Sequence, residues 1–415
     1  MDFKDKKIAV LGAGVEGKSA DAFLKSQGAV VSVFDEKKAS FPDLSSFDLI
    51  VRSPGVKLSH KRLDELRSMN YESRITSATK LFFDLCPTKN IIGITGTKGK
   101  GTTSTLIYEI LKAAGKDVHL CGNIGTPMLN VLPKLKESSF VVLELSSFQL
   151  IDLHKSPHIA VVLMATSDHL DWHKDHGEYL GAKTNIVKHQ EEFDFIVVNE
   201  DYENSVKIAE QSKGKKVGFS ISRPPFPTGA VRIGIPGKHN LENVYAAYCV
   251  GKILDIPDTV MFGAIQNFKG LPHRLEFVKK VGGAKYYNDS FSSNPSATIA
   301  ALSSFSENKI MIIGGIDRGV ALYNLAEHIN RSAPSIRKVL LIGQIADKVK
   351  KLLEDVGFHE YEVLSVKTMK EIIDHARELA QPDDVVILSP GFASFDMFKN
   401  FEELGILFKQ EVNAL

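Results

Sequence analysis

Residues 91–111, IIGITGTKGKGTTSTLIYEIL, constrain the fold more than any other stretch of the chain. A short β-branched run, Ile91 to Thr95, opens into a loop carrying Gly96, Gly99 and Gly101 around Lys98 and Lys100. A helical period follows, with Leu106, Ile107, Ile110, Leu111 and Ala114 on one face and Gly115 where such a helix stops. Strand, glycine loop and helix N-terminus together make a phosphate cradle. Backbone N–H groups point inward, the helix dipole favours anions, and a lysine ammonium adds charge. The strict P-loop template asks for Gly six residues before the lysine and Ser or Thr directly after it. Those places hold Ile94 and Gly101, so the hydroxyl has to come from Thr102 or Thr103. An ordinary strand-loop-helix connection with solvent lysines is the competing reading, and the concentration of glycines around a central lysine weighs against it.

A second glycine turn lies at the N-terminus. Residues 7–35 read as strand, turn with Gly12, Gly14 and Gly17, helix, and a second strand ending at Asp35. This is the G-x-G-x-x-G dinucleotide fingerprint with an acid at the expected distance, and alone it suggests an NAD-binding dehydrogenase. No hydride-transfer constellation follows it, so a nucleotide diphosphate held without redox chemistry is the better expectation. The run DLIVRSPGV ends in Ser53-Pro54-Gly55, either a plain turn or a loop at the carboxyl end of a parallel strand, where open α/β sheets bind ligands. The polar CPTKN segment places a first domain boundary at residue 88.

Beyond the cradle, CGNIGTP leads to the apolar strand FVVLEL, whose Glu144 is placed to offer a carboxylate to Mg²⁺. Asp168, His169, Asp171, His173 and His176 then crowd into nine residues. Zinc is disfavoured because the H-E-x-x-H glutamate is missing, and a single histidine serving a magnesium-bound phosphate fits better. Residues 201–236 carry no readable chemistry, and RPPFPTGAVRIGIPG at 223–237 looks like hairpins or loops. A helix with Asn240 as its N-cap follows, then a Gly-Pro hinge that puts the second boundary at residue 272. The last third alternates apolar strands with helices. Asn288-Asp289-Ser290, Gly314 to Arg318 and Ser389-Pro390-Gly391 stand at the ends of those strands, where a crevice forms.

Composition excludes several classes. Lys plus Arg number 51 and Asp plus Glu 50 in 415 residues, so no polyanion-binding surface is indicated and nucleic acid is not an expected partner. Three cysteines, widely spaced, match no metal pattern and suit reduced thiols. The reduced thiols suit a cytoplasmic location, and no apolar run is long enough to span a bilayer, so no membrane insertion is expected.

Taken together, GITGTKGKGTT, LELSSFQL, SDHLDWH with Lys183 after it, GKHNLEN, GLPHR, YNDSFSSN and LSPGFASFDMFKNF resemble the Mur ligases in order and spacing, over nearly the whole chain. The resemblance implies an α/β chain of three domains: a Rossmann-like UDP-sugar-binding domain at 1–88, a central P-loop ATPase-like domain at 89–272, and a C-terminal Rossmann-like domain at 273–415. It implies an ATP-dependent amide ligase of peptidoglycan precursor synthesis, closest to the member that adds D-glutamate to UDP-N-acetylmuramoyl-L-alanine, acting as a monomer with two Mg²⁺ ions. The folylpolyglutamate synthases share the later domains but lack the first.

On that resemblance, the loop Gly96, Thr97, Lys98, Gly99, Lys100, Gly101, Thr102 and Thr103 holds ATP, with Asn243, Arg274 and Asp289 at nucleotide-binding positions. Thr102 and Glu144 serve one Mg²⁺, His169 a second, and Lys183 matches a lysine carried as a carbamate. Gly14, Asp35, Ser53, Gly55 and Asn123 meet the UDP-sugar, while Ser293, Arg318, Ser394, Phe395 and Phe401 meet the incoming amino acid. Lys98 and Gly101 depart from the family loop. Phe291 and Arg318 stand where some members carry lysines, and the arginine keeps a charge suited to a carboxylate. The Gly-Pro joint at 270–272 implies closure of the last domain on the middle one.

Overall fold

The computed structural model describes residues 1–166, 172–227, 229–317, 322–366, 368–393 and 397–415. Three sheets carry the fold. In the first, β1 (Lys7–Leu11), β2 (Val30–Phe34), β3 (Leu49–Arg52) and β4 (Ile75–Ser77) run parallel in the order β2-β1-β3-β4. In the second, β5 (Ile91–Thr95), β6 (Val118–Gly122), β7 (Phe140–Glu144), β8 (Ile159–Val162), β9 (Phe195–Asn199) and β10 (Lys215–Phe219) are parallel in the order β10-β9-β8-β5-β7-β6. In the third, β11 (Glu276–Val281) and β12 (Ala284–Asn288) form an antiparallel hairpin. It joins the parallel β16 (Val385–Gly391), β13 (Lys309–Gly314), β14 (Ile336–Ile342) and β15 (Tyr361–Val363) in the order β11-β12-β16-β13-β14-β15.

Near-continuous apolar strands such as β5, β13 and β16 are buried along their whole length, as parallel strands covered by helices on both faces require. The order reverses beside β1 in the first sheet and beside β5 in the second, and ligands bind at the carboxyl ends of strands at such switch points.

The chain divides into two compact units, Met1–Arg232 with Leu241–Gln266, and Ile233–Asn240 with Asn267–Leu415. The first unit holds two sheets because they share a core. Leu24, Leu81 and Phe82 from the helices over the first sheet belong to one apolar cluster with Met128, Leu129, Leu143 and Val162 of the second. At about 25 cal/mol per Å² of apolar surface, a shared cluster of this kind holds two sheets as one body. The second unit packs its sheet between two clusters, one around Met311, Leu325 and Val339, the other around Tyr286, Ile312 and Phe408.

The stretch 201–236, which carries no readable chemistry, holds the helix Glu203–Ala209 and the parallel edge strand β10. One local expectation needs correction. Asn240 is not an N-cap, because the helix Lys238–Ile253 begins two residues earlier and the Asn240 amide donates to the Pro236 carbonyl at 2.6 Å.

Candidate active site

In the first unit, β5 delivers the glycine loop to the helix Lys100–Ala113, whose N-cap is Gly99. Gly99 has φ +87°, and a Cβ there would lie 2.2 Å from the Asn243 Oδ1, so the turn needs glycine on both counts. Lys100, the first helical residue, folds its ammonium back onto the carbonyls of Gly96 at 3.0 Å and Thr97 at 3.2 Å, which centres its charge on the loop. The loop is pinned from behind: the Thr97 N–H donates to the Met164 carbonyl at 2.6 Å, and the Thr97 hydroxyl lies 3.0 Å from the Tyr179 hydroxyl. Thr103 is fully buried and gives its hydroxyl to the Asn243 Oδ1 at 3.2 Å. That leaves Thr102, half-buried in the first turn, as the threonine presented beside Lys100 and Gly101.

Glu144 ends β7, next to β5. Its carboxylate is 5% exposed and accepts from the Asn123 side-chain amide at 2.8 Å, while the Asn123 N–H donates to the Glu144 carbonyl at 2.9 Å. Asn123 and Glu144, assigned separately to sugar and metal by resemblance, are thus one hydrogen-bonded pair. Lys183, near the end of the helix His176–Thr184, is 1% exposed. Its Nζ donates to the Gly96 carbonyl at 2.9 Å and the Thr95 hydroxyl at 3.4 Å, and lies 4.7 Å from the Tyr179 ring centroid. Lys183 therefore stands directly beneath the glycine loop. Loop amides, a lysine, a threonine and a buried carboxylate form the donor set that a nucleotide triphosphate and a hard divalent cation use.

His173 lies outside the helix that begins at His176. It is 2% exposed, 2.9 Å from the Ser147 hydroxyl and stacked on Phe148. Among the described residues no group of three or more His, Cys, Asp or Glu is placed to hold a metal. His169, Asp168 and Asp171 lie outside the described residues, as do Arg318, Ser394 and Phe395.

At the carboxyl ends of the first sheet, Asp35 borders an open cleft of about 360 Å³ that Ala13, Phe34, Lys38 and Ser40 also line. Gly14 is the N-cap of the helix Val15–Ser26 and is exposed. Gly17 packs so closely that a Cβ would sit 1.8 Å from the Gly12 carbonyl oxygen, which explains the third glycine of the fingerprint. Ser53 closes the crevice from β3, its hydroxyl donating to the Gly12 carbonyl at 3.1 Å, and Gly55 is exposed two residues on.

Sequence reasoning missed two buried charges here. Arg52, fully buried at the end of β3, donates to the carbonyls of Val56 at 2.8 Å and Phe148 at 3.3 Å and pairs with Asp152 at 3.0 Å. Glu16, in the first turn of its helix, accepts from the Gln149 amide at 2.5 Å through Oε1, and its Oε2 is buried with no partner among the described residues. A charged residue closing an apolar strand was the available signal for Arg52. Glu16 gave none.

Burial pushes the Glu16 carboxyl up from 4.5 to about 7, against the lowering effects of Gln149 and Arg52. The folded chain therefore keeps a proton that the unfolded chain has released across that window. Stability falls as pH rises from about 4.5 through about 7 and stays reduced above it. Glu16→Gln should flatten this slope and be the more stable protein near pH 8 by about 1–3 kcal/mol in urea unfolding. Parallel slopes for the two proteins would show that Glu16 ionises normally.

The second unit carries its own cluster. Asp289 is 5% exposed and accepts from Ser292 at 2.5 Å, Ser389 at 2.8 Å and the Leu275 N–H at 3.1 Å. Desolvation raises its carboxyl from 3.8 to about 6, against the lowering effects of those bonds and of Arg274. Next to it the Arg274 guanidinium lies 4.0 Å from the Phe291 ring centroid, and Phe401, the first residue of the helix Phe401–Ala414, meets Phe291 edge-on at 4.9 Å. Ser293 is exposed just before Asn294, the N-cap of the helix Pro295–Leu302. Arg274, Asp289, Phe291 and Phe401 are thus gathered at the carboxyl ends of β12 and β16, while Ser293 lies along the same turn.

The comparisons with known proteins place the chain in a family. The Mur ligase middle domain matches residues 94–225, and the Mur ligase glutamate ligase domain matches residues 273–392. Over 459 aligned positions the chain is 36% identical to the UDP-N-acetylmuramoylalanine–D-glutamate ligase of Clostridium botulinum strain Langeland, covering 100% of this chain and 98% of the relative. The enzyme of the same name from Acetivibrio thermocellus is 36% identical over 461 positions, covering 99% and 97%. Among solved structures, MurF of Acinetobacter baumannii has a TM-score of 0.63 at 17% identity, covering 97% of this chain and 93% of that one. The UDP-N-acetylmuramate-alanine ligase of Thermotoga maritima has a TM-score of 0.62 at 16% identity, covering 99% of both chains, and these two likenesses speak to the fold. The chain belongs to the Mur ligase family.

Proposed function

We propose that this chain joins D-glutamate to UDP-N-acetylmuramoyl-L-alanine with cleavage of ATP to ADP and phosphate, in peptidoglycan precursor synthesis. The full-length 36% identity to ligases of that name carries the reading. Lys100 and Lys183 both reach the Gly96 carbonyl and Glu144 ends the neighbouring strand β7, which supports it chemically. We further propose the three-domain division at residues 88 and 272.

A carboxylate is a poor electrophile and its oxygen a poor leaving group, so an amide does not form from it directly. Transfer of the γ-phosphoryl group to the alanyl carboxylate makes an acyl phosphate; the glutamate amine attacks its carbonyl carbon, and phosphate leaves with the former carboxylate oxygen. In this reading the loop amides and Lys100 hold the triphosphate, and their charge offsets the repulsion between ATP and the incoming carboxylate. Preorganised clamps of this sort supply several kcal/mol. Thr102, Glu144, His169 and carbamylated Lys183 would hold Mg²⁺, which supplies charge neutralisation at the phosphates when bound. Asn243, Arg274 and Asp289 complete the nucleotide contacts. Gly14, Asp35, Ser53, Gly55 and Asn123 address the UDP-sugar, and Ser293, Arg318, Ser394, Phe395 and Phe401 the amino acid.

The test is phosphate release from ATP with UDP-N-acetylmuramoyl-L-alanine and each glutamate enantiomer, using substrate whose carboxylate carries oxygen-18. Label is expected in the liberated phosphate, with turnover only on D-glutamate. Unlabelled phosphate would exclude the acyl phosphate, and turnover on L-glutamate would change the acceptor. Gly99→Ala should weaken ATP binding at least tenfold in calorimetry, because the new methyl drives Asn243 off the loop and the left-handed backbone costs about 1 kcal/mol or more. Unchanged ATP affinity would mean that the loop is not the phosphate site.

A further inference from the structure

We propose that Trp172 is the platform on which the sugar ring of the UDP-linked substrate stacks, which makes it the residue that separates the sugar nucleotide from the bare nucleotide. The inference rests on the functional reading above and assigns one side chain within it.

The cleft beside Asp35 lies at the end of β2, the Gly12–Gly14 turn at the end of β1, and Ser53–Gly55 at the end of β3. The Ser53 hydroxyl reaches the Gly12 carbonyl at 3.1 Å, so turn and loop are in contact. With a base at the first position and a diphosphate at the helix N-terminus, the group attached to the diphosphate comes next. Trp172 stands there. Its indole N–H donates to the Gly55 carbonyl at 3.4 Å, and its ring centroid lies 4.7 Å from that of Phe148, four residues beyond Glu144. The indole therefore bridges the loop that follows the diphosphate turn to the segment that follows the reactive centre.

The indole's surroundings favour a saturated ring as its partner. Phe148 and His173 support it, their centroids both 4.7 Å away at angles of 54° and 71°, so its position is held without flat stacking on either. It is half-exposed, and the Lys57 ammonium lies 5.9 Å from its centroid, a charge suited to a nearby diphosphate. A rigid, partly exposed aromatic face with a cation beside it packs well against the C–H face of a sugar joined to phosphate.

Trp172 is the only tryptophan in the chain, so its emission reports this position alone. Titration with UDP, UDP-N-acetylglucosamine and UDP-N-acetylmuramoyl-L-alanine, each also measured by calorimetry, tests the proposal. The two sugar nucleotides should change the emission, whereas UDP should bind without doing so. Trp172→Ala should weaken both sugar nucleotides at least tenfold and UDP less than twofold, and Trp172→Phe should recover most of the loss. Retained UDP binding also shows that the variant is folded. Unchanged emission on binding of a sugar nucleotide, or equal weakening of UDP and its sugar conjugates, would overturn the stacking assignment and leave the ligase reading intact. If no uridine nucleotide binds wild-type protein, the reading itself fails and this inference with it.

Discussion

Lys183→Ala should lower the ligation rate by about three orders of magnitude, roughly 4 kcal/mol of barrier, and small carboxylic acids should restore part of it. The expectation follows from position. A buried Nζ lies 2.9 Å from the carbonyl of Gly96, within the same network as the phosphate loop. As an ammonium it would oppose a cation held by Glu144 and Thr102. As a carbamate, formed when the free amine attacks CO₂ and releases a proton, it becomes an anionic ligand that formate or acetate can imitate. Lys183 as a plain prop beneath the loop predicts something different: loss of the Gly96 and Thr95 contacts would lower stability by about 1–3 kcal/mol, and added acids would restore nothing. Rates measured with and without acetate, beside urea unfolding of the same variant, separate the two. Wild-type activity that persists in CO₂-free buffer would count against the carbamate.

The chemistry-bearing loops were legible because each is local. A strand, a glycine turn and a helix start are contiguous in sequence, and both Gly96–Lys100 and Gly12–Gly17 lie where their patterns put them. Glu144 could be read from the end of an apolar strand for the same reason. The edge strand β10 was hidden because Lys215 and Lys216 face solvent, leaving too little apolar pattern to mark a strand. His173 stood in a polar run with no role of its own assigned, and one of its partners is Ser147, 26 residues away, a pairing that no local spacing encodes. Glu16 with Gln149 and Arg52 with Asp152 are further cases, 133 and 100 residues apart. Such pairs arise only once the two sheets of the first unit share a core. The threonine ambiguity in the phosphate loop was likewise insoluble locally, since Asn243, 140 residues on, engages Thr103.

Arg52→Ala should be the most destabilising substitution among these long-range pairs, by about 3–5 kcal/mol, because it strands a carboxylate in a site built around its partner. Arg52 has no exposed surface, and its fork divides between the carbonyls of the Ser53–Val56 turn and the Phe148–Asp152 segment. Removing it leaves Asp152, 13% exposed, facing buried carbonyls with no cation. Arg52→Lys should recover little, since one ammonium on a flexible stem cannot satisfy both groups of acceptors. Arg52→Met combined with Asp152→Asn removes both charges and should recover most of the loss, because paired burial of charge contributes less than its rupture costs. Urea unfolding of the three variants decides the matter; a loss below about 1 kcal/mol for Arg52→Ala would mean that water reaches the pair. The same turn carries Ser53 and Gly55, so the variant should also raise the KM for the UDP-linked substrate more than it lowers kcat. An opposite split would place Arg52 nearer the chemistry than the turn it holds.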